Sequence, residues 1–410
     1  MNDTEILKEL GNKVCEIASL PIQQQTKKLW ASHNKLQRTR PPVLIDQLPW
    51  HEVNQSEEMQ LECVDEFLRS VEWNMRSLLY RWNHFACDMV IENRIDIPMA
   101  VHNLKYGMII EEDTLCVDEQ NDIVSHRYHE MITDDASLDA IKPNRIWVDR
   151  ELDEKHMDIC NSIFHDIIPV RLKGVTIHAG IWDRIAQMRP AQSILMDIIE
   201  KPDFTKRVVK KFVDLTMSTI DQCESLGILD TEAQYIHCSG AYTDELPTQG
   251  YAFGKARAAD CWGYGMAQIL STVSPKMHVE FEIELVRPLY ERFGLLYYGC
   301  CEPLENIIPY IRKINNVRKI SVSPWADSAK CAQHIGKDYV FSAKPNPAFI
   351  ASGVLDTESA MAQIQAVLST CASNNTPVEF ILKDISTVSG KLESLDQWAD
   401  MAMGLICNIE

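Results

Sequence analysis

The sequence predicts an α/β protein, a single (β/α)8 TIM-type barrel with an N-terminal helical extension. Two observations support this fold class. Helical runs alternate with short apolar runs in the second half of the 410-residue chain, which is typical of a parallel sheet. Each apolar run also ends in polar or reactive residues, as expected where the strands of a barrel deliver side chains to one face. An open doubly wound sheet would collect such residues along one edge as well.

The helical pattern divides the chain into two parts. Residues 1–150 are predicted to form a helical and irregular region that contributes to the barrel, and residues 151–410 its main body. Apolar residues recur at helical spacing over 5–38, and a second helical stretch covers 61–90. Pro202-Asp203 opens a further helix that runs to Leu226, where Gly227 is a suitable C-terminal cap.

Five apolar runs are predicted to be strands with polar ends. The strands are 233–238, 295–300, 318–323, 338–343 and 378–383. Their ends are His237-Cys238-Ser239, Cys300-Cys301-Glu302, Ser323-Pro324-Trp325, Lys344-Pro345-Asn346 and Lys383-Asp384. Because these ends emerge on one face of a barrel, we expect the active site to be centred on the segment from Tyr298 to Glu302.

The composition disfavours several classes of partner. Asp and Glu number 59 against 40 Lys and Arg, which gives a formal net charge of −19. A duplex nucleic acid or an anionic membrane would require a basic surface, so neither is expected as a partner. The N-terminus shows no secretory signal, and no apolar run is long enough to span a bilayer. We therefore expect a cytoplasmic enzyme whose 13 cysteines are reduced.

A series of short motifs follows in a specific order over roughly 165–405. They are Trp182-Asp183, Pro202-Asp203-Phe204, Ser274-Pro275 with Phe281, Pro288, Ser321-Val322 with Asp327, and Lys344-Pro345-Asn346-Pro347-Ala348. In this order they resemble the uroporphyrinogen decarboxylase-like superfamily. That superfamily also contains methyltransferases that feed corrinoid proteins or coenzyme M. The resemblance implies a single (β/α)8 barrel, often dimeric, so a homodimer is expected.

The resemblance is closer to the corrinoid-linked methyltransferase branch than to the true decarboxylases. The decarboxylases carry an N-terminal Arg-Gln-Ala-Gly-Arg stretch that holds propionate groups, and this sequence lacks it. The resemblance therefore implies methyl transfer from a small methylated donor, such as an aryl methyl ether, to a corrinoid. The sequence has no cobalamin motif of its own, so a separate corrinoid protein is the expected partner.

Zinc is the metal that the resemblance implies. The branch binds zinc through His-x-Cys at one strand end and a Cys after the last strand. Here the first motif aligns with Tyr298-Gly299-Cys300, without the histidine, and the second position falls at Lys383-Asp384, without a cysteine. Cys300, Cys301 and Glu302 are the predicted ligands, because thiolates and carboxylates bind zinc. The alternative is two buried cysteines and a loop glutamate.

Four residues are predicted to be catalytic: Glu282, Tyr298, Lys383 and Asp384. Glu282 lies one helical turn from His278, and the other three lie at strand ends. Lys383 suits a substrate carboxylate, and Asp384 suits a base or a ligand. The alternatives are interaction of Glu282 with the helix dipole and a salt bridge formed by Lys383 and Asp384.

Four further residues are predicted to bind substrate: His237, Trp262, Trp325 and Asn346. The tryptophans suit an aromatic substrate, although packing in the core is the alternative for them. A hydrogen bond without further function is the alternative for His237. Two other functions stay open at this stage. One is a decarboxylase or lyase of a small carboxylate with Lys383 as anion holder, and the other is a non-catalytic binding barrel.

Overall fold

The computed structural model describes residues 2–104, 109–116 and 124–407, so the predicted 1–150 region lies partly outside the described residues. The helices are α1 (Asp3–Ala18), α2 (Pro21–Asn34), α3 (Trp50–Val53), α4 (Glu66–His84), α5 (Asp135–Ala140), α6 (Arg150–Phe164), α7 (Ile181–Ala186), α8 (Ala191–Glu200), α9 (Pro202–Leu226), α10 (Pro275–His278), α11 (Glu284–Tyr290), α12 (Ile308–Ile311), α13 (Ser328–Ile335), α14 (Thr357–Ser373) and α15 (Glu393–Cys407). Within the described ranges, no helix has the length and apolar character needed to cross a membrane.

The strands are β1 (Val43–Ile45), β2 (Ile95–Pro98), β3 (Val101–His102), β4 (Glu112–Leu115), β5 (Ser125–Tyr128), β6 (Trp147–Val148), β7 (Val170–Lys173), β8 (Tyr235–Ile236), β9 (Ser239–Gly240), β10 (Trp262–Gly265), β11 (Leu295–Tyr298), β12 (Val317–Val322), β13 (Val340–Ala343) and β14 (Val378–Leu382). Six of them form the central sheet, in the order β1-β14-β13-β12-β11-β10. Every neighbouring pair in this sheet is parallel, so all six carboxyl ends lie along one edge.

Side chains alternate between the two faces of the sheet. Leu296 and Tyr298 belong to the larger core, which lies between the sheet and its helices. Leu295 and Tyr297 belong to a second core, which also contains apolar residues of α1 and Trp30 of α2. Strands buried on both faces are typical of parallel sheets covered by helices, and β11, Leu-Leu-Tyr-Tyr, is accordingly buried at every position.

The sheet curls strongly toward the face of the second core. Lys383 follows β14 and Cys300 follows β11, and these side chains are in contact although β13 and β12 lie between their strands. The inward-facing Lys319 of β12 reaches Ser239 of the β8–β9 hairpin. The curl brings polar side chains from distant strands together at the carboxyl edge.

The sheet is part of a barrel and not the closed eight-stranded barrel that the sequence predicts. Among the described residues, the remaining side is formed by the parallel pair β2 and β7. Isolated bridges join Val175 to Leu229 and His178 to Tyr264. Single bridges replace continuous ladders here, which is why the regular sheet ends at β10 and β1.

The predicted strands 295–300, 318–323, 338–343 and 378–383 correspond to β11, β12, β13 and β14. The predicted strand 233–238 is confirmed only at Tyr235–Ile236 (β8), and it is not part of the parallel sheet, because β8 turns back on β9 as an antiparallel hairpin. His237 lies in the turn with a φ of 53°, a left-handed conformation that reverses the chain. The predicted helix from Pro202 to Leu226 is confirmed as α9, and Gly227 ends it with a φ of 67°.

Two strands of the sheet were not predicted. β1 has only three residues, and two of the four residues of β10 are glycines. A Cβ on Gly265 would lie 2.2 Å from the Tyr290 ring, so the close packing of α11 on β10 requires glycine there. Glycines at these positions also deprive β10 of the apolar side chains by which a strand is recognised in a sequence.

Candidate active site

Lys383 lies at the centre of a cluster on the carboxyl edge of the sheet. Its Nζ is 3.1 Å from the Sγ of Cys300 and 3.4 Å from the Sγ of Cys301. The same Nζ is 2.9 Å from Oδ2 of Asp384. The Lys383 side chain is 2% exposed, whereas that of Asp384 is 45% exposed. A buried ammonium therefore faces two thiols, and a carboxylate connects the group to solvent.

The backbone at two strand ends sets this arrangement. Gly299 follows β11 with a φ of 95°, and a Cβ there would lie 2.5 Å from Leu304. This turn presents Cys300 and Cys301 in succession to the edge of the sheet. Asp384 has a φ of 56°, which is unusual for a residue with a side chain. Such conformations cost free energy and concentrate at functional sites.

The protonation states in the cluster follow from its contacts. The contact with Cys301, together with the charge of Lys383, lowers the pKa of Cys300 against the effect of burial. The contact with Cys300 and burial raise the pKa of Cys301. Burial disfavours the charged form of Lys383, but the neighbouring thiols and Asp384 outweigh it and raise the lysine's pKa. Cys300 is thus the more acidic thiol, and Lys383 carries a positive charge at neutral pH.

Glu302 lies beside the cluster but faces the backbone. One of its carboxylate oxygens accepts the N–H of Cys300 at 2.8 Å, and the other accepts the N–H of Ala267 at 3.2 Å. Burial raises the pKa of this carboxyl group. In the part of the chain that the structure describes, no three His, Cys, Asp or Glu side chains are placed to hold a metal ion. Zinc on Cys300, Cys301 and Glu302 stays a prediction.

His237 lies close to the lysines of the site. Its ring stacks on Tyr264 with centroids 5.3 Å apart, and its edge meets the Tyr297 ring at 5.5 Å. Its Nε2 is buried and has no hydrogen-bond partner among the described residues. Burial, followed by the charges of Lys383 and Lys344, lowers the pKa of His237 to about 3. The imidazole is therefore neutral at physiological pH.

Lys344 was not predicted as a site residue, although it ends a strand as Lys383 does. It is 4% exposed, and its Nζ donates to Oγ of Ser342 at 2.8 Å. The same Nζ lies 5.3 Å from the centroid of the Tyr297 ring. The signal for Lys344 in the sequence was the same as for Lys383, namely a lysine directly after an apolar strand.

A buried ion pair lies further inside the curled sheet. The Nζ of Lys319 is 2.7 Å from Oε2 of Glu379, and both side chains are fully buried. Oγ of Ser239 and Oγ of Ser342 both donate to the other oxygen of Glu379 at 2.6 Å. Burial lowers the pKa of Lys319 to about 8. These bonds hold the β8–β9 hairpin against the inner face of the sheet, next to the site.

Glu282 and Tyr298 lie in the other core, apart from Lys383. The hydroxyl of Tyr298 is 3.0 Å from Nε2 of His278, and Glu282 accepts a hydrogen bond from Tyr290. A π-helical turn, Val279–Ile283, interrupts the helix that was predicted to align His278 with Glu282. Burial raises the pKa of Glu282 to about 8. The structure therefore separates these two predicted catalytic residues from Lys383 and Asp384.

The other predicted substrate-binding residues are not bonded to the cluster. Trp262 is buried near the start of β10, and its indole N–H donates to the carbonyl of Ala241 at 2.9 Å. Trp325 is 69% exposed in the segment after β12. The Asn346 side chain accepts the N–H of Ala348 and so caps a short helical turn. Their roles in binding substrate stay predictions.

His178 is a further residue near the site that sequence reasoning missed. Its ring meets the Tyr264 ring edge-on at 4.9 Å, on the same tyrosine that stacks with His237. Its Nε2 lies 3.5 Å from Oδ2 of Asp183. No spacing in the sequence relates these residues, because only the bridge between His178 and Tyr264 brings them together.

No protein-family model matches the chain, and no curated protein matches it. Among solved structures, the chain is similar to a methyltransferase from Methanosarcina mazei, with 11% sequence identity and a TM-score of 0.49. The match covers 92% of this chain and 98% of that chain.

Proposed function

We propose that this chain is a methyltransferase that removes a methyl group from the oxygen of a small methylated donor, for example an aryl methyl ether. The carrying observation is the buried ammonium of Lys383, held by Cys300, Cys301 and Asp384 at the open edge of the sheet. The resemblance of the sequence to corrinoid-linked methyltransferases supports the choice of reaction.

The reaction needs positive charge at the leaving oxygen. When a nucleophile takes the methyl carbon, both electrons of the C–O bond stay on oxygen, which becomes an anion. A fixed ammonium in a buried site stabilises such a charge more strongly than water does, and it can donate a proton. The three N–H groups of Lys383 already have three acceptors. The longest contact is that to the half-buried Cys301, so a substrate oxygen can replace this thiol.

The methyl acceptor in this proposal is a corrinoid carried by a separate protein. When bound, the reduced corrinoid supplies a two-electron nucleophile for the methyl carbon. The residues of this chain hold the donor and stabilise its leaving oxygen. In this proposal, the donor and the partner reach the cluster from the exposed side of Asp384.

Zinc fits these residues poorly, so no step is assigned to it. A zinc ion would need the space between the two sulfurs and a carboxylate, and the ammonium of Lys383 lies there. Both oxygens of Glu302 are used by backbone N–H groups. The positive charge that a zinc ion would supply as a Lewis acid is supplied here by Lys383.

A decarboxylase or lyase of a small carboxylate is the second candidate. The same buried Lys383 favours it, because an ammonium can hold a carboxylate or protonate the carbanion left by CO2 loss.

The test uses free reduced cobalamin as methyl acceptor and a panel of aryl methyl ethers as donors. We expect methylcobalamin to form with the unmodified protein. Lys383→Met should lower the rate by about 100-fold or more, because one charged donor to the leaving oxygen is lost. Lys383→Arg, which keeps the charge, should retain part of the activity. Lys337→Met, which removes an exposed lysine before β13, is the matched control.

The outcome separates the two candidates. Formation of methylcobalamin that depends on Lys383 supports methyl transfer. Equal rates for Lys383→Met and the unmodified protein would contradict the proposed role of this lysine. Release of CO2 from a panel of small carboxylates, without methyl transfer, would replace the first candidate by the second. Thermal unfolding of each variant shows whether it is folded.

A further inference from the structure

Three buried lysines line the concave side of the sheet on adjacent strands. Lys319 is paired with Glu379, and Lys383 is paired with Asp384. For Lys344, no carboxylate lies within ion-pair distance among the described residues, and its described hydrogen-bond acceptor is Oγ of Ser342. An ammonium has three N–H groups, so two of those on Lys344 lack an acceptor in the described structure. Burying an ammonium whose N–H groups are only partly satisfied is costly, which points to an external anion.

A second unsatisfied group lies next to Lys344. Nε2 of His237 is buried and has no described hydrogen-bond partner. The His237 ring and the Lys344 Nζ both approach the ring of Tyr297, at 5.5 Å and 5.3 Å from its centroid. Tyr297 therefore places the two groups in one neighbourhood. The charges of Lys383 and Lys344 both act on His237, which supports the same placement.

Two of the three lysines have a negative side chain in direct contact, whereas Lys344 has none among the described residues. Lys319, Lys344 and Lys383 are opposed by two carboxylates, those of Glu379 and Asp384. The acidic thiol of Cys300 adds a third negative group when it is ionised, but its described contact is with Lys383 and not with Lys344. Lys344 is therefore a buried ammonium whose direct polar contact among the described residues is a hydroxyl and not a negative group.

We infer that Lys344 and His237 form a subsite that binds the carboxylate of a small substrate beside Lys383. One carboxylate oxygen accepts from Lys344, and the other accepts from His237 when Nε2 carries the ring proton. The substrate class, a carboxylate that also carries the transferable methyl group, rests on the proposed function. The anion subsite itself does not.

A carboxylate fits this subsite better than a phosphate does. Phosphate sites use several backbone N–H groups, helix N-termini or arginine forks, whereas the donors here are one ammonium and one neutral imidazole. The nearby carboxylate of Asp384 repels a second negative charge on the ligand. The net charge of −19 on the whole chain likewise disfavours binding of a dianion such as phosphate.

The test measures binding and needs no turnover. Benzoate is compared with benzamide, and hexanoate with hexanamide, by titration calorimetry on the full chain. We expect the unmodified protein to bind at least one carboxylate more tightly than its amide. Lys344→Met should weaken that binding about tenfold or more, and Lys344→Arg should restore part of it. His237→Asn should weaken it less, because its contribution is a neutral hydrogen bond.

Lys337→Met is the control, because it removes one positive charge at the opposite end of β13. Equal affinity of Lys344→Met and the control for the carboxylate would overturn the inference. So would equal affinity of the unmodified protein for acid and amide, or no binding of either acid. A carboxylate preference that depends on Lys344, in a protein that transfers no methyl group, supports the subsite and removes the proposed function. Methyl transfer without a preference for the carboxylate supports the proposed function and overturns the subsite.

Discussion

The Sγ of Cys300 and the Nζ of Lys383 lie 3.1 Å apart, although their strands β11 and β14 are separated by two others. A flat sheet would hold these strand ends about three strand spacings apart, or roughly 14 Å. The contact therefore requires the curl of the sheet. It also joins an acidic thiol to a buried ammonium, and the first prediction follows from that pair.

Alkylation of Cys300 should occur at a lower pH than alkylation of an ordinary thiol. The Cys301 contact and Lys383 lower the pKa of Cys300, so its thiolate persists below the usual pKa of about 8.5. The rate of iodoacetamide modification, followed by peptide mass spectrometry across pH, gives the midpoint. Lys383→Met should move this midpoint upward, and Lys337→Met should leave it in place. An unchanged midpoint in Lys383→Met would show that the lysine does not activate the thiol.

Removing one member of the buried pair Lys319–Glu379 should strongly destabilise the fold. Glu379→Gln leaves Lys319 as an uncompensated buried charge, with an expected loss of about 3–5 kcal/mol in the free energy of unfolding. The surface pair of Lys313 and Glu284 is the comparison, because both side chains are more than 40% exposed. Lys313→Met should cost at most about 1 kcal/mol. If urea unfolding gave similar losses of unfolding free energy for the two variants, the Lys319–Glu379 pair would not have the stabilising role that we assign to it.

The stability of the protein should fall relative to that of Glu282→Gln as pH rises from about 4.5 to about 8. Burial raises the pKa of Glu282 from 4.5 to about 8 in the folded chain. The folded state then binds more protons than the unfolded state in this interval, so its advantage is complete below 4.5 and is lost by about 8. Glutamine mimics the protonated acid and does not titrate.

Urea unfolding of the protein and of Glu282→Gln at several pH values measures that difference. Glu280→Gln, which removes an exposed carboxylate paired with Lys206, is the control from the same helical turn. A difference between protein and Glu282→Gln that stays constant over the interval would refute the buried, protonated state of Glu282.

Metal analysis tests the zinc ligands that the sequence predicts. With Lys383 between the sulfurs, we expect less than one zinc per chain in freshly purified protein. Lys383→Ala should raise zinc uptake, because it frees the space between two thiols and the Asp384 carboxylate. One zinc per chain that is lost in both Cys300→Ala and Glu302→Ala would establish the predicted ligands and reject our assignment to Lys383.

The strands with the strongest apolar signal could be predicted from the sequence. β12 and β14 are rich in β-branched and large apolar residues and end in polar ones, so both their positions and their polar ends were recognised. β10 was missed because glycine replaces side chains where Phe293 and Tyr290 pack against the strand. The hairpin at His237 was read as a strand because residue preferences do not reveal a left-handed turn residue.

The meeting of the strand ends could be predicted from the sequence, whereas the side chains that face one another there could be predicted only in part. The strand ends containing Cys300, Lys383 and Asp384 meet as predicted from their position on one edge. Tyr297 and Tyr298 are adjacent, yet only Tyr297 faces the inner side, and the sequence contains no marker of that choice. The sequence could not single out Lys344 either, because only the folded structure shows that its described contact is a hydroxyl and not a counter-charge.

The pairing of β1 with β14 has a consequence for how the chain acquires its structure. Val43–Ile45 is synthesised more than 300 residues before its strand partner Val378–Leu382. Contacts so distant in the chain form slowly, because a long loop must close first. Until then, β1 is an apolar segment without a neighbour on that side, and such edges are prone to aggregation. Efficient production of this protein should therefore depend on chaperones that shield the nascent chain until Val378–Leu382 has been made.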